Sequence, residues 1–298
     1  MLSAISPKAR EVDNFVLTTP VAFLVFNRPD LTARVFERIA AARPQTLLLV
    51  ADGPRNENEV ATCDQVRNII TRVDWDCRVL TNFSDINLGC KRRVASGLDW
   101  VFSQVEEAII LEDDCLPSLS FFPFCQGLLE RYRDDNRIFA IGGTNLQFGI
   151  SRTEHSYYFS HYAEIWGWAT WRRAWNYYDV TMKTWPAFRA AGCMRWVFEN
   201  PAEQGFWEPL FQQTYEGKID TWDYIWLYTC LSQSGLTILP NVNLISNLGF
   251  GPDATHTFDA QSRFANVPTS EIWEVKHPQH VLRHAEADGD YFEKIICS

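Results

Sequence analysis

The sequence predicts an α/β fold: a mainly parallel central sheet flanked by helices, followed by a helical half rich in tryptophan. Three observations carry this. Short apolar runs alternate with stretches of helical period four times between residues 21 and 132. The runs are continuously apolar rather than alternating, as in strands buried on both faces. The fourth run, Ala108-Ile109-Ile110-Leu111, breaks off into Glu112-Asp113-Asp114. A carboxylate entering a low-dielectric interior needs a partner, a metal or water, and three adjacent ones repel each other. A cation at the carboxyl end of a central strand, where open α/β sheets place their ligands, explains the pattern most economically.

Residues 1–19 read as an arm. Residues 21–26 are an apolar strand closed by Asn27-Arg28-Pro29-Asp30, with Asp30 as a candidate helix cap and a helix to about residue 42. A strand at 46–51 closes on Asp52-Gly53-Pro54, and residues 57–72 have helical period. A third strand is expected over 77–81, a turn at Asn87-Leu88-Gly89 and a helix over 90–102. After the acidic strand, residues 118–132 read as a helix capped by Ser118 or Ser120. Beyond residue 137 come a strand at 138–141, an extended stretch at 157–160 and a tryptophan-rich stretch over 161–175. Helices follow near 185–199, 202–216 and 222–234, then short strands at 236–239 and 242–245, then loop and a polar tail. The expected organisation is an arm (1–19), one domain (20–257) with a ligand-binding half (20–145) and a second half (146–257), and a tail (258–298).

A formal net charge of -10 over 298 residues argues against nonspecific binding of nucleic acid, which needs a basic face. No apolar run is long enough for a transmembrane helix, and residues 1–13 lack the apolar core of a signal peptide. The eight cysteines are scattered, with no C-x-x-C pair, and are expected to be reduced thiols of a cytoplasmic protein. No G-x-G-x-x-G follows the first strand and no G-x-x-x-x-G-K-[ST] occurs. In an extended strand Glu112 and Asp114 would point one way and Asp113 the other. Carboxylates suit a hard cation, Mg²⁺ or Mn²⁺, that takes phosphate oxygens as further ligands. A solvated acidic turn ahead of a helix is the plainer reading.

The chain resembles GT-A-fold (Rossmann-like) glycosyltransferases that use a nucleotide-diphosphate sugar, within them the N-acetylglucosaminyltransferase I type and its bacterial relatives. The matching pieces run from about residue 20 to 257: Leu24-Val25-Phe26-Asn27-Arg28-Pro29, Ala51-Asp52-Gly53, Asn87-Leu88-Gly89, Leu111-Glu112-Asp113-Asp114 with Phe121-Phe122, Gly167-Trp168, Thr221-Trp222-Asp223, and Ile245-Ser246-Asn247 through His256. Glu112-Asp113-Asp114 is a variant of that family's Asp-x-Asp element. The resemblance implies Asp114 as direct metal ligand, Asp113 near the donor ribose and sugar, Arg28 and Asp52 at the nucleotide, Trp168 at the donor and Asp223 as general base. It implies Mn²⁺ or Mg²⁺, a UDP-sugar donor, and a carbohydrate, lipid-linked or protein acceptor.

Each position also has its own chemistry. Asp52 at a Gly-Pro turn is either a turn former or an acceptor for a base N–H or ribose hydroxyl. Arg28 is held extended by Pro29 and is either a surface ion-pair partner or a ligand contact. Lys91-Arg92-Arg93 sits at a helix N-terminus, a poor place for cations, so either an anion such as a diphosphate is expected beside it or the three form a solvated basic face or ion pairs with Asp85 and Glu106. Asp223 is either an acid favoured in the first turn of a helix or, among Trp222 and Trp226, a desolvated base, with Glu164 and Glu208 as fallback carboxylates. His256 is either an ordinary histidine of a Gly/Pro/Thr-rich loop or a candidate to complete metal binding or touch the diphosphate. His277, His280 and His284 recur at helical spacing and suggest zinc only weakly. An inverting, metal-dependent sugar transfer follows, with residues 247–257 as a lid. The rival readings are a non-catalytic carbohydrate-binding or scaffold protein, a sugar-nucleotidyltransferase, which needs a Gly-rich loop after the first strand, and a metal-dependent hydrolase, which needs more ligands than the sequence offers.

Overall fold

A computed structural model describes residues 15–251, 259 and 261–297. Strands β1 (Val21–Val25), β2 (Thr46–Ala51), β3 (Arg78–Phe83) and β4 (Glu107–Glu112) alternate with helices α1 (Pro29–Ala42), α2 (Val60–Ile70) and α3 (Gly89–Gln104). A short β5 (Cys115–Pro117) precedes α4 (Phe121–Arg131). Strands β6 (Ile138–Gly142), β7 (Tyr157–Ser160) and β8 (Trp168–Trp171) come next, followed by α5 (Pro201–Tyr215), α6 (Asp223–Ser232), β9 (Leu236–Pro240), β10 (Ile245–Asn247) and α7 (Ala285–Tyr291).

Eight strands form one sheet in the order β3-β2-β1-β4-β8-β6-β9-β7. The first four are mutually parallel, and β6 and β9 are parallel to each other. Strand β8 runs antiparallel between β4 and β6, and β7 antiparallel to β9. The expected mixed α/β architecture with a mostly parallel sheet is therefore present, and residues on both sides of position 145 contribute to it. The insertion of β8 beside the acidic strand was not legible. Trp168-Ala169-Thr170-Trp171 lacks the aliphatic character of β1, β2 and β4, and Gly167 just before it takes a φ of +60 that favours glycine. A side chain there would also strike Ile245, whose Cγ1 lies 2.7 Å from where a Cβ would stand.

Burial follows the pleat. Val21, Phe23 and Val25 join Ile109 and Leu111 in a core under α1, α2 and α4. Ala22 and Leu24 join Ala108, Ile110, Val94 and Leu98 in a second core, which the indoles of Trp168, Trp175, Trp222 and Trp226 complete. Most tryptophans are thus packing residues. A third apolar cluster, including Trp185, Trp207 and Phe211, holds the helices of the second half together.

Several local expectations change. Asp30 does not cap α1: Arg28 occupies the cap position and Pro29 the first turn, where its missing N–H costs nothing. Ser120 occupies the cap position of α4 without a side-chain cap bond; its hydroxyl accepts from the Ile272 N–H instead. The strand expected over 242–245 lies at Ile245–Asn247 and pairs with β5, not with β9. The eight cysteines are free thiols. The tail is not loop throughout. Residues 271–284 lie along β7 through Ser156, Phe159 and Tyr157, and α7 packs behind it. His277 hydrogen-bonds Tyr157, and His284 accepts the Ala287 N–H at the start of α7. Their zinc reading finds no support, since no group of three ligating side chains occurs among the described residues. No helix among the described residues is long and apolar enough to cross a membrane.

Glu164, between β7 and β8, is buried against Gly142 and near Tyr291, and its Oε1 has no hydrogen-bond partner. Burial pushes its carboxyl up to about 7, against the pull of the Tyr291 hydroxyl. The folded chain therefore keeps this proton where the unfolded chain has lost it. The stability it contributes is full below about pH 4.5 and is lost as pH rises through 7. Glu164→Gln should gain on the natural chain by roughly 3 kcal/mol between pH 4.5 and pH 8, as read by urea denaturation at the two pH values.

Candidate functional site

The site forms at the carboxyl ends of β1, β2 and β4. Strand β4 ends at Glu112, and residues 113 and 114 form a turn into β5. The strand alternation stops there. Asp113 and Asp114, expected on opposite sides, instead close on the same guanidinium. That guanidinium belongs to Arg28, at the end of the neighbouring β1. Its backbone is pinned because its carbonyl accepts the Thr32 N–H (2.9 Å) and hydroxyl (2.8 Å) in the first turn of α1. Arg28 Nη2 donates to Asp113 Oδ1, and to Asp114 Oδ2 at 2.9 Å. The Phe26 N–H, 3.3 Å away, also donates to Asp113.

The three side chains are not equally enclosed. Asp113 is 4% exposed, Asp114 17% and Arg28 24%. Burial raises the Asp113 carboxyl to about 6, although Arg28 pulls it down. For Arg28 burial opposes the charge, but the two carboxylates outweigh it and hold the proton more firmly than usual. Glu112 is half-buried and has no hydrogen-bond partner among the described residues. Burial first, then the charges of Asp114 and Asp113, push its carboxyl up to about 8.

Asp223 comes in from the other half as the first residue of α6. Its Oδ1 accepts from the Thr221 hydroxyl and, at 2.9 Å, from the Tyr224 N–H. Its charge reaches Glu112 and also the Cys90 thiol, which burial, Glu112, Asp223, Asp220 and Asp114 together push up. Cys90 and Asp220 thus lie within the acidic surround, and no sequence signal marked either. The support for α6 is apolar: Trp168 stacks on Trp222 with ring centres 5.8 Å apart and tilts against Trp226. Trp168 is 0% exposed, so its place is beneath the site and not in a cleft.

Asp52, at the end of β2, is buried and saturated. It accepts from the N–H groups of Gly53 (2.9 Å), Leu88 (3.0 Å) and Gly89 (3.2 Å) and from the Asn87 amide (3.0 Å). It thereby supplies the negative charge at the N-terminus of α3, the place where a diphosphate was expected to balance Lys91, Arg92 and Arg93. Of these three, Arg93 is buried and donates to the side chain of Asn82 (2.8 Å) and to its carbonyl, Lys91 is half-buried and Arg92 exposed.

The β5–β10 ribbon brings residues 247–251 over the acids. The Leu248 N–H donates to the Asp114 carbonyl at 2.8 Å, and the Gly249 N–H to Asn247 Oδ1 at 2.7 Å. A Cβ at Gly249 would overlap the Asp114 carboxylate, whose Cγ lies 2.8 Å from that point. Only glycine allows this approach, and the glycine-rich stretch was the sequence signal for it. His256 lies outside the described residues. Arg28 also lines a cleft of about 810 Å³, together with Pro29, Glu59, Leu248, Gly249 and Phe250 among others. Arg28 alone among these named residues both faces the cleft and pairs with the acids.

No described side chains form a closed metal cage. What the site offers is a hard, all-oxygen donor set with more negative than positive charge. Asp114 is partly exposed, and Glu112 lacks a hydrogen-bond partner among the described residues. That fits a cation of the Mg²⁺ type, which is usually held by one or two carboxylates together with substrate phosphates.

No protein-family model matches this chain, and no curated protein is detectably similar in sequence. Solved structures give distant likenesses. An apo UDP-glucose pyrophosphorylase aligns at a TM-score of 0.39 and 10% identity over 76% of this chain and 93% of its own. A UDP-glucose pyrophosphorylase in complex with UDP-glucose aligns at 0.29 and 13% over 50% of this chain; this chain spans 64% of its length. A 4-diphosphocytidyl-2C-methyl-D-erythritol synthase from Anaerococcus prevotii aligns at 0.33 and 9%, over 52% of this chain and 72% of its own. At such scores these likenesses carry no argument about activity.

The Asp52 clamp has a measurable consequence. Asp52→Ala strips several donors at the start of α3 of their acceptor and should destabilise the chain by about 2 kcal/mol, checked by urea denaturation.

Proposed function

We propose that this protein transfers a sugar from a nucleotide-diphosphate sugar, a UDP-sugar by resemblance, to an acceptor hydroxyl with inversion at the anomeric carbon. The observation that carries this reading is the convergence on one place of Arg28, Glu112, Asp113 and Asp114 from one half and Asp223 from the other. The carboxyl edge of the parallel strands is where α/β folds hold nucleotides. Within this reading Arg28 and Asp113 hold the donor, Asp113 through ribose or sugar hydroxyls, and Glu112 and Asp114 supply carboxylates for a hard divalent cation. Mn²⁺ or Mg²⁺, when bound, would neutralise charge on the leaving nucleoside diphosphate.

Asp223 is the base of this reading. Its Oδ1 is engaged by Thr221 and Tyr224, and its Oδ2 has no hydrogen-bond partner among the described residues. The free oxygen would take the proton of the acceptor hydroxyl as that oxygen attacks the anomeric carbon. The buried Trp168–Trp222–Trp226 stack fixes the helix that carries it. Asp52 keeps a positioning role by ordering the start of α3, and Lys91 and Arg92 are left to meet the phosphates or the solvent. His256 remains a candidate contact to metal or diphosphate. The rival nucleotidyl transfer lacks its glycine-rich loop, because Pro29 starts α1 directly after Arg28.

Purified protein incubated with Mn²⁺ and a panel of nucleotide sugars and acceptors should release a nucleoside diphosphate, and EDTA should abolish the release. Asp223→Asn should lower turnover about 10²–10⁴-fold while donor affinity stays within about twofold. Consumption of pyrophosphate with a sugar nucleotide, and no transfer, would instead establish nucleotidyl transfer.

A further inference from the structure

Arg28 stands where it cannot serve the acids and a cation equally. One nitrogen, Nη2, bonds to both Asp113 and Asp114. The two bonds differ in what holds them. Asp113 is almost wholly enclosed, with one oxygen on Arg28 and the other on the Phe26 N–H. A buried carboxylate cannot lose its counter-charge cheaply. Asp114 is the more exposed partner and lies against the residue 247–251 segment. Its Oδ2 is taken by Arg28, and its Oδ1, among the described residues, only by the weakly donating Cys115 thiol at 3.4 Å. Glu112, next to it, has no hydrogen-bond partner among the described residues. The exchangeable bond of this pair is the one to Asp114.

Building on the functional reading above, we propose that Arg28 and a divalent cation compete for Asp114 Oδ2, so that Arg28 makes cation binding depend on the nucleotide. Without a nucleotide, Arg28 closes the acidic pair and suppresses capture of a bare cation. With a nucleoside diphosphate in the cleft, the phosphate oxygens offer the cation further ligands and offer Arg28 an anion to face. Asp114 is then released while Arg28 stays anchored on Asp113. Arg28 is a positioning residue in this scheme: its effect on the cation runs through Asp114. Because its backbone is pinned by Pro29 and Thr32, only the guanidinium has to move. The expected linkage is mutual: the nucleotide tightens the cation and the cation tightens the nucleotide by the same factor.

The test uses Mn²⁺ alone and Mn²⁺ with UDP, followed by electron paramagnetic resonance and by titration calorimetry on the full chain. In the natural protein, Mn²⁺ alone should bind weakly and UDP should tighten it. In Arg28→Gln, Mn²⁺ alone should bind about tenfold more tightly if Asp114 is paired for some nine-tenths of the time in the natural chain, and the coupling to UDP should shrink by the same factor. Arg28→Lys, which keeps the charge, should fall between them, and Asp114→Asn should abolish Mn²⁺ binding in either background. Circular dichroism confirms that each variant is folded. If Arg28→Gln unfolds because Asp113 loses its partner, the Asp113→Asn, Arg28→Gln double variant, with no buried charge to balance, carries the same measurement. Equal Mn²⁺ affinity in the natural chain and in the Arg28→Gln variant would overturn the competition. Failure of UDP to bind any of them, with tighter Mn²⁺ binding still seen on loss of Arg28, would leave the competition standing and sink the functional reading instead.

Discussion

The charge balance among Arg28, Asp113 and Asp114 is the constraint on which the rest of the site depends. A parallel strand that ends in three acids is tolerable in a packed fold only if something cationic meets it. The neighbouring strand provides that group at the matching level, because Leu24 pairs with Glu112 and the chain runs four residues further to Arg28. The immediate passage from Arg28 into α1 then fixes the backbone from which the guanidinium reaches across. Burial opposes charge on Arg28 and Asp113, and the pairing of the guanidinium with both carboxylates is what makes the arrangement stable. Glu112 stays outside the pairing, and burial together with the charges of Asp114 and Asp113 drives its carboxyl up to about 8.

The second half contributes by rigid packing rather than by charge. Strand β8 lies beside β4 and places Trp168 at the join. From there the indoles of Trp175, Trp222 and Trp226 fill the space between the sheet and α6. The start of α6 is thereby held near Glu112, and Asp223 with it. The β5–β10 ribbon does the same from the opposite side, where Gly249 allows the chain to lie directly on Asp114. Two separate stretches thus reach the acids, α6 held by apolar packing and the ribbon by backbone contacts. Reacting groups need sub-ångström placement, and such placement comes from supporting contacts of this sort.

The sequence by itself determined the first half. Strands β1, β2 and the body of β4 are apolar and the helices amphipathic, so the alternation and the acidic strand end could be read directly, as could the turns at Asp52-Gly53 and Asn87-Leu88-Gly89. It also marked Arg28, the three acids and Asp223 as residues of interest. What it did not contain was their pairing. Strand β8 escaped because two tryptophans around Ala-Thr carry no clear period, and β5 because three residues are too few to show one. Strand periodicity assigned Asp113 and Asp114 to opposite faces, whereas the turn that ends β4 brings both to Arg28. Asp52 has the composition of a ligand contact, yet it is the backbone N–H groups of a segment 36 residues away that occupy it. Local pattern records which side chains face a core, since that depends on neighbours along the chain. Which carboxylate meets which cation is a matter of distances between segments far apart in sequence, and only the folded arrangement of β1, β4, α6 and the β5–β10 ribbon decided it.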